Sequence, residues 1–325
     1  MLPLKQGLIC ELPDTSYPNT SYPAPTQPKG VKMSENNLKW RLGDMQITLV
    51  REILSETDPA QMFHKSYNAD DVAKHESWLK PHFLNDNGLF HLSIHAFVLE
   101  SEGQTIMVDT CLGNRVIPGY DRISNIGDGF LTALADAGYE PADIDTVVCT
   151  HLHFDHVGWN TVLKDGEWVP TFPQARYLFG RQEYEFWAGT EEKGFAFTFG
   201  DAVQPVVDAG LADLVDSDHQ VTGEVWLEPT PGHTPGHASV RLSSGGEEGV
   251  ITGDMAHHPI QFAEPQWGMD ADEDPQMATQ TRRDFAKKYG DTDVTVFGTH
   301  FGGPTCGHIR SAGESWEFRA EAVAS

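Results

Sequence analysis

From Thr150 to Gly158 the chain reads Thr-His-Leu-His-Phe-Asp-His-Val-Gly, which places His151, His153, Asp155 and His156 within six residues. Zinc takes imidazole nitrogen and carboxylate oxygen at roughly 2.0–2.2 Å, so these residue types suit a metal centre. The plain alternative is a group of solvated loop histidines, and the downstream sequence argues against it. His233 is flanked by glycines in Pro231-Gly232-His233-Thr234-Pro235-Gly236-His237, Asp254 follows Gly253, and His300 ends Phe297-Gly298-Thr299-His300. Seven candidate ligands are more than one tetrahedral zinc needs.

Each candidate sits at the end of a segment with strand character. Residues 144–150 are apolar and β-branched, a buried strand. Side chains two apart at its end point the same way, so His151 and His153 share one side while Leu152 and Phe154 take the other. A turn then returns Asp155 and His156 to the same place. Residues 225–230, 249–254 and 293–300 repeat the pattern of apolar strand, glycine and ligand. Around His233 the glycines permit the tight turn that presents the imidazole. Four strand ends thereby deliver ligands to one edge.

The remaining chain supplies a frame. Residues 45–51 alternate as a strand, and 91–99 with 105–109 read as paired strands joined at Gly103, ending on Asp109. His91 and His95 in that pair are expected to be structural. Phe130, Leu131, Leu134 and Ala137 have helical spacing stopped by Gly138. Residues 56–87 read as a loop with a short helix. Between residues 180 and 215 two helical patterns are separated by Gly194 and Gly200, the second running from Asp201 to Leu214. Phe63, Tyr67, Trp78 and Phe83, and later Trp187, Phe195, Phe197 and Phe199, are either packing residues or pocket aromatics. Phe262, Trp267 and Met269 follow Asp254 and suggest a substrate with an apolar arm.

His151-x-His153-x-Asp155-His156, followed by His233, Asp254 and His300, resembles the metallo-β-lactamase superfamily of binuclear metallohydrolases, from about residue 40 to 320. The resemblance implies an α/β fold, the four-layer αβ/βα sandwich of two mixed sheets with helices outside and metals at one edge. It implies two Zn2+, other divalent metals being possible. His151, His153 and His233 would hold the first, Asp155, His156 and His300 the second, and Asp254 would bridge them with a hydroxide as nucleophile. It further implies that Asp109 supports a ligand and that His237 supports the fold. Asp155, Asp254 and His257 are the expected catalytic residues. Departures narrow the branch: His153 stands where di-iron relatives carry Glu, Cys111 where the family usually has Gly, and His257 where lactonases typically place a Tyr. His257 is either a hydrogen-bond donor to substrate, a proton shuttle, or structural.

Composition bounds the rest. The 325 residues suffice for a core without staples, and four scattered cysteines, Cys10, Cys111, Cys149 and Cys306, do not make a disulfide scaffold. A reducing cytoplasm is the expected location, with no signal peptide in view. The formal net charge of −26 opposes binding to nucleic acid or anionic membrane. Residues 1–33, rich in Pro, Ser, Thr and Tyr, read as a disordered tail or a misplaced start before Met33, and residues 34–325 as one hydrolase domain. The expected function is a binuclear zinc hydrolase acting on a small-molecule carboxylic ester or lactone. Organophosphate triester hydrolysis and hydrolytic dehalogenation are the alternatives, and a homodimer is possible.

Overall fold

The computed structural model describes residues 37–191 and 193–321. The segment 1–33, read above as a tail or misplaced start, lies outside them. In chain order the strands are β1 (Lys39–Leu42), β2 (Met45–Thr57), β3 (Phe90–Ser101), β4 (Gln104–Val108), β5 (Thr146–Cys149), β6 (Thr161–Lys164) and β7 (Glu167–Pro170). They continue with β8 (Arg176–Gly180), β9 (Ala212–Val215), β10 (Val225–Pro229), β11 (Ala238–Ser244) and β12 (Glu247–Ile251). The last are β13 (Thr295–Phe297), β14 (Cys306–Ala312) and β15 (Ser315–Ala320). One sheet has the order β1-β2-β3-β4-β5-β8-β9 and the other β10-β11-β12-β13-β14-β15, with β6-β7 a separate hairpin. Both sheets are mixed: β4-β5-β8-β9 and β12-β13 pair in parallel, the other neighbours antiparallel.

Alternation along the strands decides the layering. Met45, Ile47 and Leu49 of β2, Phe97 and Leu99 of β3, Val240 and Leu242 of β11 and Phe297 of β13 meet in one buried cluster between the sheets. The opposite faces are covered outside. Phe130 and Leu134 of the helix Gly129–Ala137 and Trp187 of the helix Arg181–Gly189 pack with Val50, Val98 and Met107 of the first sheet. Leu79 of Ala69–Leu79 and Phe285 of Pro275–Tyr289 pack with Val250 and Phe318 of the second. The result is helix, sheet, sheet, helix: the four-layer sandwich.

One helix expectation fails. The apolar spacing from Asp201 to Leu214 yields only the short helices Phe199–Ala202 and Gln204–Asp208, and Ala212–Val215 is a strand paired in parallel with β8. Pro205 lacks the N–H that a continuous helix needs, and Gly210 at φ +71° turns the chain out of it. The aromatics Phe63, Phe83, Phe262 and Trp267 are buried in the outer core against the second sheet, which settles them as packing residues.

The register of β2 on β3 slips between Arg51 and Ile53, making Glu52 the extra residue of a bulge. Past β4 and β5 the chain segments cross with almost no space. The Gly158 N–H donates to Cys111 O at 2.7 Å, and a Cβ on Gly158 would stand 1.9 Å from the Leu112 carbonyl. Gly158→Ala is therefore expected to lower unfolding free energy by about 3 kcal/mol or more, read as a shifted urea midpoint of the metal-free protein. A midpoint equal to the parent's would show that this crossing does not constrain the fold.

Candidate metal centre

Four strand ends meet at one edge of the sandwich. Beyond β5 come His151, His153, Asp155 and His156, the last two on the turn Phe154–Val157; beyond β10 comes His233; beyond β12, Asp254; beyond β13, His300. All seven sequence-selected ligands converge. Ligand atoms of His151, His153 and His233 lie within 4.8 Å of one another, as do those of Asp155, His156, Asp254 and His300. A third such group, His233, Asp254 and His257, joins the two. Asp254 is the shared member: its Oδ2 lies 3.1 Å from His156 Nε2, 3.5 Å from His233 Nε2 and 3.8 Å from His151 Nε2. Its Oδ1 lies 3.1 Å from His300 Nε2. Asp155 approaches His156 at 3.7 Å and His300 at 3.6 Å.

The outer nitrogens of these rings are engaged. His156 Nδ1 lies 3.0 Å from Asp109 Oδ2, His233 Nδ1 2.9 Å from Asp272 Oδ1, and His300 Nδ1 3.0 Å from the Ser93 carbonyl. His151 Nδ1 lies 3.1 Å from Thr150 Oγ1, whose own proton goes to Asp109. In neutral rings those acceptors fix the proton on Nδ1 and leave Nε2 as a lone pair. Inward, ring nitrogens meet at short range: His233 Nε2 is 3.0 Å from His153 Nδ1 and His300 Nε2 is 3.3 Å from His156 Nε2. The buried His151 Nε2 has no hydrogen-bond partner. Buried imidazole nitrogens and carboxylate oxygens converging on one place suit a cation, and imidazole with carboxylate suits zinc.

The electrostatics agree. Burial works against a charged His156, yet Asp254, Asp109 and Asp155 outweigh it and raise the ring well above the usual imidazole range. Burial likewise opposes a charged Asp254, and His156, His300 and His257 overcome that to hold it well below the usual carboxylate range. His151 and His153 are pushed well down, first by burial and then by their imidazole neighbours, which keeps their lone pairs available. Positive charge is drawn to the Asp254 side, while neutral imidazoles line the other.

Three buried carboxylates escaped the sequence reading because the ligand loops they hold lie far from them along the chain. Asp272 holds His233; burial opposes its charge, but the His233 bond and Arg282 bring it down to about 2. Glu183 accepts Leu152 N–H at 3.1 Å, Gly236 N–H at 3.0 Å and Trp187 Nε1–H at 2.6 Å, joining the loop of His151 and His153 to that of His233. Glu52 accepts Leu112 N–H and Trp159 Nε1–H, both at 2.7 Å. Asp109 was singled out, and it accepts from Thr150 N as well as meeting His156. His237, expected to support the fold, accepts the Asp254 N–H at 2.8 Å. His95 is buried against Ser93 and His91 meets His82 O, and neither belongs to a ligand group. His257 Nε2 lies 3.1 Å from Asp254 Oδ2, and burial lowers its pKa.

Aromatics flank the cluster. The Phe195 ring lies 5.7 Å and the buried Trp187 ring 5.5 Å from His153. Phe197 stacks on Phe154 at 5.0 Å, and Tyr120, 39% exposed, lies 5.3 Å from Phe154. Phe154, Phe195 and Phe197 join Ile117 and Ile123 in one apolar cluster on the chain around Asp155.

Residues 90–300 match the family model described as the metallo-beta-lactamase superfamily. The N-acyl homoserine lactonase of Bacillus cereus is 26% identical over 173 residues, covering 50% of this chain and 62% of that protein. N-acyl homoserine lactonase AttM of Agrobacterium fabrum (strain C58 / ATCC 33970) is 30% identical over 177 residues, covering 51% and 63%. The chain thus spans less than two thirds of the length of these curated relatives. Among solved structures, one described as the hydrolase AbOPH in the beta lactamase superfamily superposes with a TM-score of 0.74 at 27% identity, over 90% of this chain and 100% of that one. AidC, a dizinc quorum-quenching lactonase, shares the fold with a TM-score of 0.70 at 21% identity, over 92% and 100%.

Glu52 gives the centre a pH signature. Burial foremost raises its pKa from 4.5 to about 7, against the bonds from Leu112 and Trp159. A raised carboxyl holds its proton longer folded than unfolded, so its contribution is fully present below about pH 4.5 and lost as pH rises through about 7. Relative to Glu52→Gln, whose side chain stays neutral, the parent should lose about 3 kcal/mol of unfolding free energy between those limits. Urea unfolding of both at pH 4.5 and 8 measures it, and a pH-independent difference would contradict the assignment.

Proposed function

Because the chain belongs to the metallo-β-lactamase superfamily, we propose that it is a binuclear zinc hydrolase that opens lactone rings, with N-acyl homoserine lactones the first candidates. The observation that carries this reading is the pair of adjacent ligand groups, with Asp254 a member of the second and its Oδ2 3.5 Å from His233 Nε2 of the first. The naming of relatives from Bacillus cereus and Agrobacterium fabrum as N-acyl homoserine lactonases supports it. His151, His153 and His233 would hold one zinc, Asp155, His156 and His300 the other, and Asp254 both. Two bound zincs supply Lewis-acid polarisation of a substrate carbonyl and a water acidified toward neutral pH.

The chain's own residues do the rest. Asp109, Asp272, the Ser93 carbonyl and Thr150 fix the imidazole orientations from outside. His257, whose Nε2 lies 3.1 Å from Asp254 Oδ2 and whose buried Nδ1 has no partner, is the candidate proton shuttle beside the substrate. Phe154, Phe195, Phe197 and Tyr120 offer an apolar wall to an acyl chain and exclude water along it. A small uncharged ester suits a surface carrying net charge −26 better than nucleic acid does. Among the described residues no helix is long and apolar enough to cross a membrane.

His257 favours one second reading. It stands where the resemblance places a lactonase Tyr, which draws weight toward organophosphate triesters. Assay of the zinc-loaded protein on acyl-homoserine lactones, simple γ-lactones, aryl esters and methyl parathion separates the two, each with a chelated control. Chelator-sensitive lactone turnover is expected; turnover of methyl parathion with none of lactones would replace the first reading by the second. Asp254→Ala should lose at least one zinc equivalent and lower kcat/KM at least ~100-fold. An active variant with full zinc content would overturn the shared role of Asp254.

A further inference from the structure

Glu52 lies on none of the ligand-bearing strand ends, yet two segments of the centre hang from it. Its Oε2 accepts the Leu112 N–H and its Oε1 the Trp159 indole N–H, each at 2.7 Å, and the residue is 1% exposed. Leu112 belongs to the loop that leaves β4 at Asp109, and Trp159 follows His156 by three residues. These two segments are zipped together: Thr110 N–H donates to His156 O at 2.7 Å, and Trp159 N–H to Thr110 O at 2.8 Å. Within the first loop Asp109 at φ +59° and Cys111 at φ +54° hold a left-handed backbone that side chains rarely adopt. Such a backbone persists only when its surroundings over-determine it. Glu52 is the bulge residue of β2, so the bulge is what delivers a carboxylate to this spot. A buried carboxylate is costly, and here its two oxygens meet one donor from each segment.

We infer that Glu52 is a positioning residue for the metal subsite of Asp155, His156 and His300. By clamping Leu112 to Trp159 it sets Asp109 against His156 Nδ1 and thereby aims His156 Nε2 at the metal. Asp109 meets His156 directly at 3.0 Å and reaches His151 of the first subsite only through Thr150, whereas His233 and the His151–His153 loop are held by Asp272 and Glu183. This inference rests on the two-metal reading given above.

The test resolves the subsites. His233→Ala breaks the first ligand group and His300→Ala the second; Glu52→Gln is placed in each background. A Gln offers one acceptor oxygen and one amide N–H, so it satisfies only one of the two donors. Zinc affinity of the metal-free proteins is measured by competition with a chromophoric chelator. Glu52→Gln should weaken zinc binding ~10–100-fold in the His233→Ala background, and less than ~3-fold in the His300→Ala background. If Glu52→Gln fails to fold, Trp159→Phe, which cuts one of the two bonds and leaves Glu52 on Leu112, takes its place with the same expected pattern. Equal weakening in both backgrounds, or none in either, overturns the inference while leaving the metal centre intact. A parent protein that binds no zinc overturns the proposed function and this inference with it.

Discussion

A set of lone pairs and carboxylate oxygens aimed at one another inside a protein is unfavourable until something positive enters, and the edge of this sandwich is built around that condition. The Nε2 atoms of His151 and His153 have no hydrogen-bond partner, while the Nδ1 sides of His156, His233 and His300 face Asp109, Asp272 and the Ser93 carbonyl outside the cluster. Asp254 stands at the middle and touches members of both ligand groups. Its backbone is fixed in turn by His237.

The architecture explains how such a cluster can be rigid. Ligands from β5 belong to one sheet, and those from β10, β12 and β13 to the other, so the site straddles the inter-sheet core. Between the ligand loops run ties that are themselves carboxylates. Glu183 bonds backbone of the β5 loop and of the β10 loop, and a Cβ on Gly236 would stand 2.3 Å from Glu183 N, which shows how closely these pieces are fitted. Helix Pro275–Tyr289 serves the same end. Asp274 caps it by accepting from Gln276 and Met277, while Arg282 on its inner face pairs with Asp272 behind His233. Secondary-structure capping and ligand orientation are thus parts of one network.

The inward ligands were legible in the sequence because each follows an apolar strand by a few residues, a local pattern that survives without knowledge of the fold. The sandwich was legible through the same strands and the family resemblance. What escaped was non-local. Asp272 lies 39 residues from His233, and Glu52 lies 107 from Trp159; no spacing connects them. The Asp201–Leu214 pattern misled because Val206, Leu211 and Leu214 fit a helical period, while Pro205 and Gly210 and the pairing of Ala212–Val215 with β8 decided the backbone. Phe262 and Trp267 misled for a related reason: they follow Asp254 closely in sequence, but the fold buries them in the outer core against the second sheet, while the aromatic ring beside His153 is that of Phe195.

The central claim is that this cluster exists to hold two metal ions. Diffraction from zinc-loaded crystals, recorded on either side of the zinc absorption edge, addresses it without reference to any substrate. Two anomalous peaks are expected, one among His151, His153 and His233 and one among Asp155, His156 and His300, with Asp254 reaching both. A single peak, or none at these residues, would contradict the account.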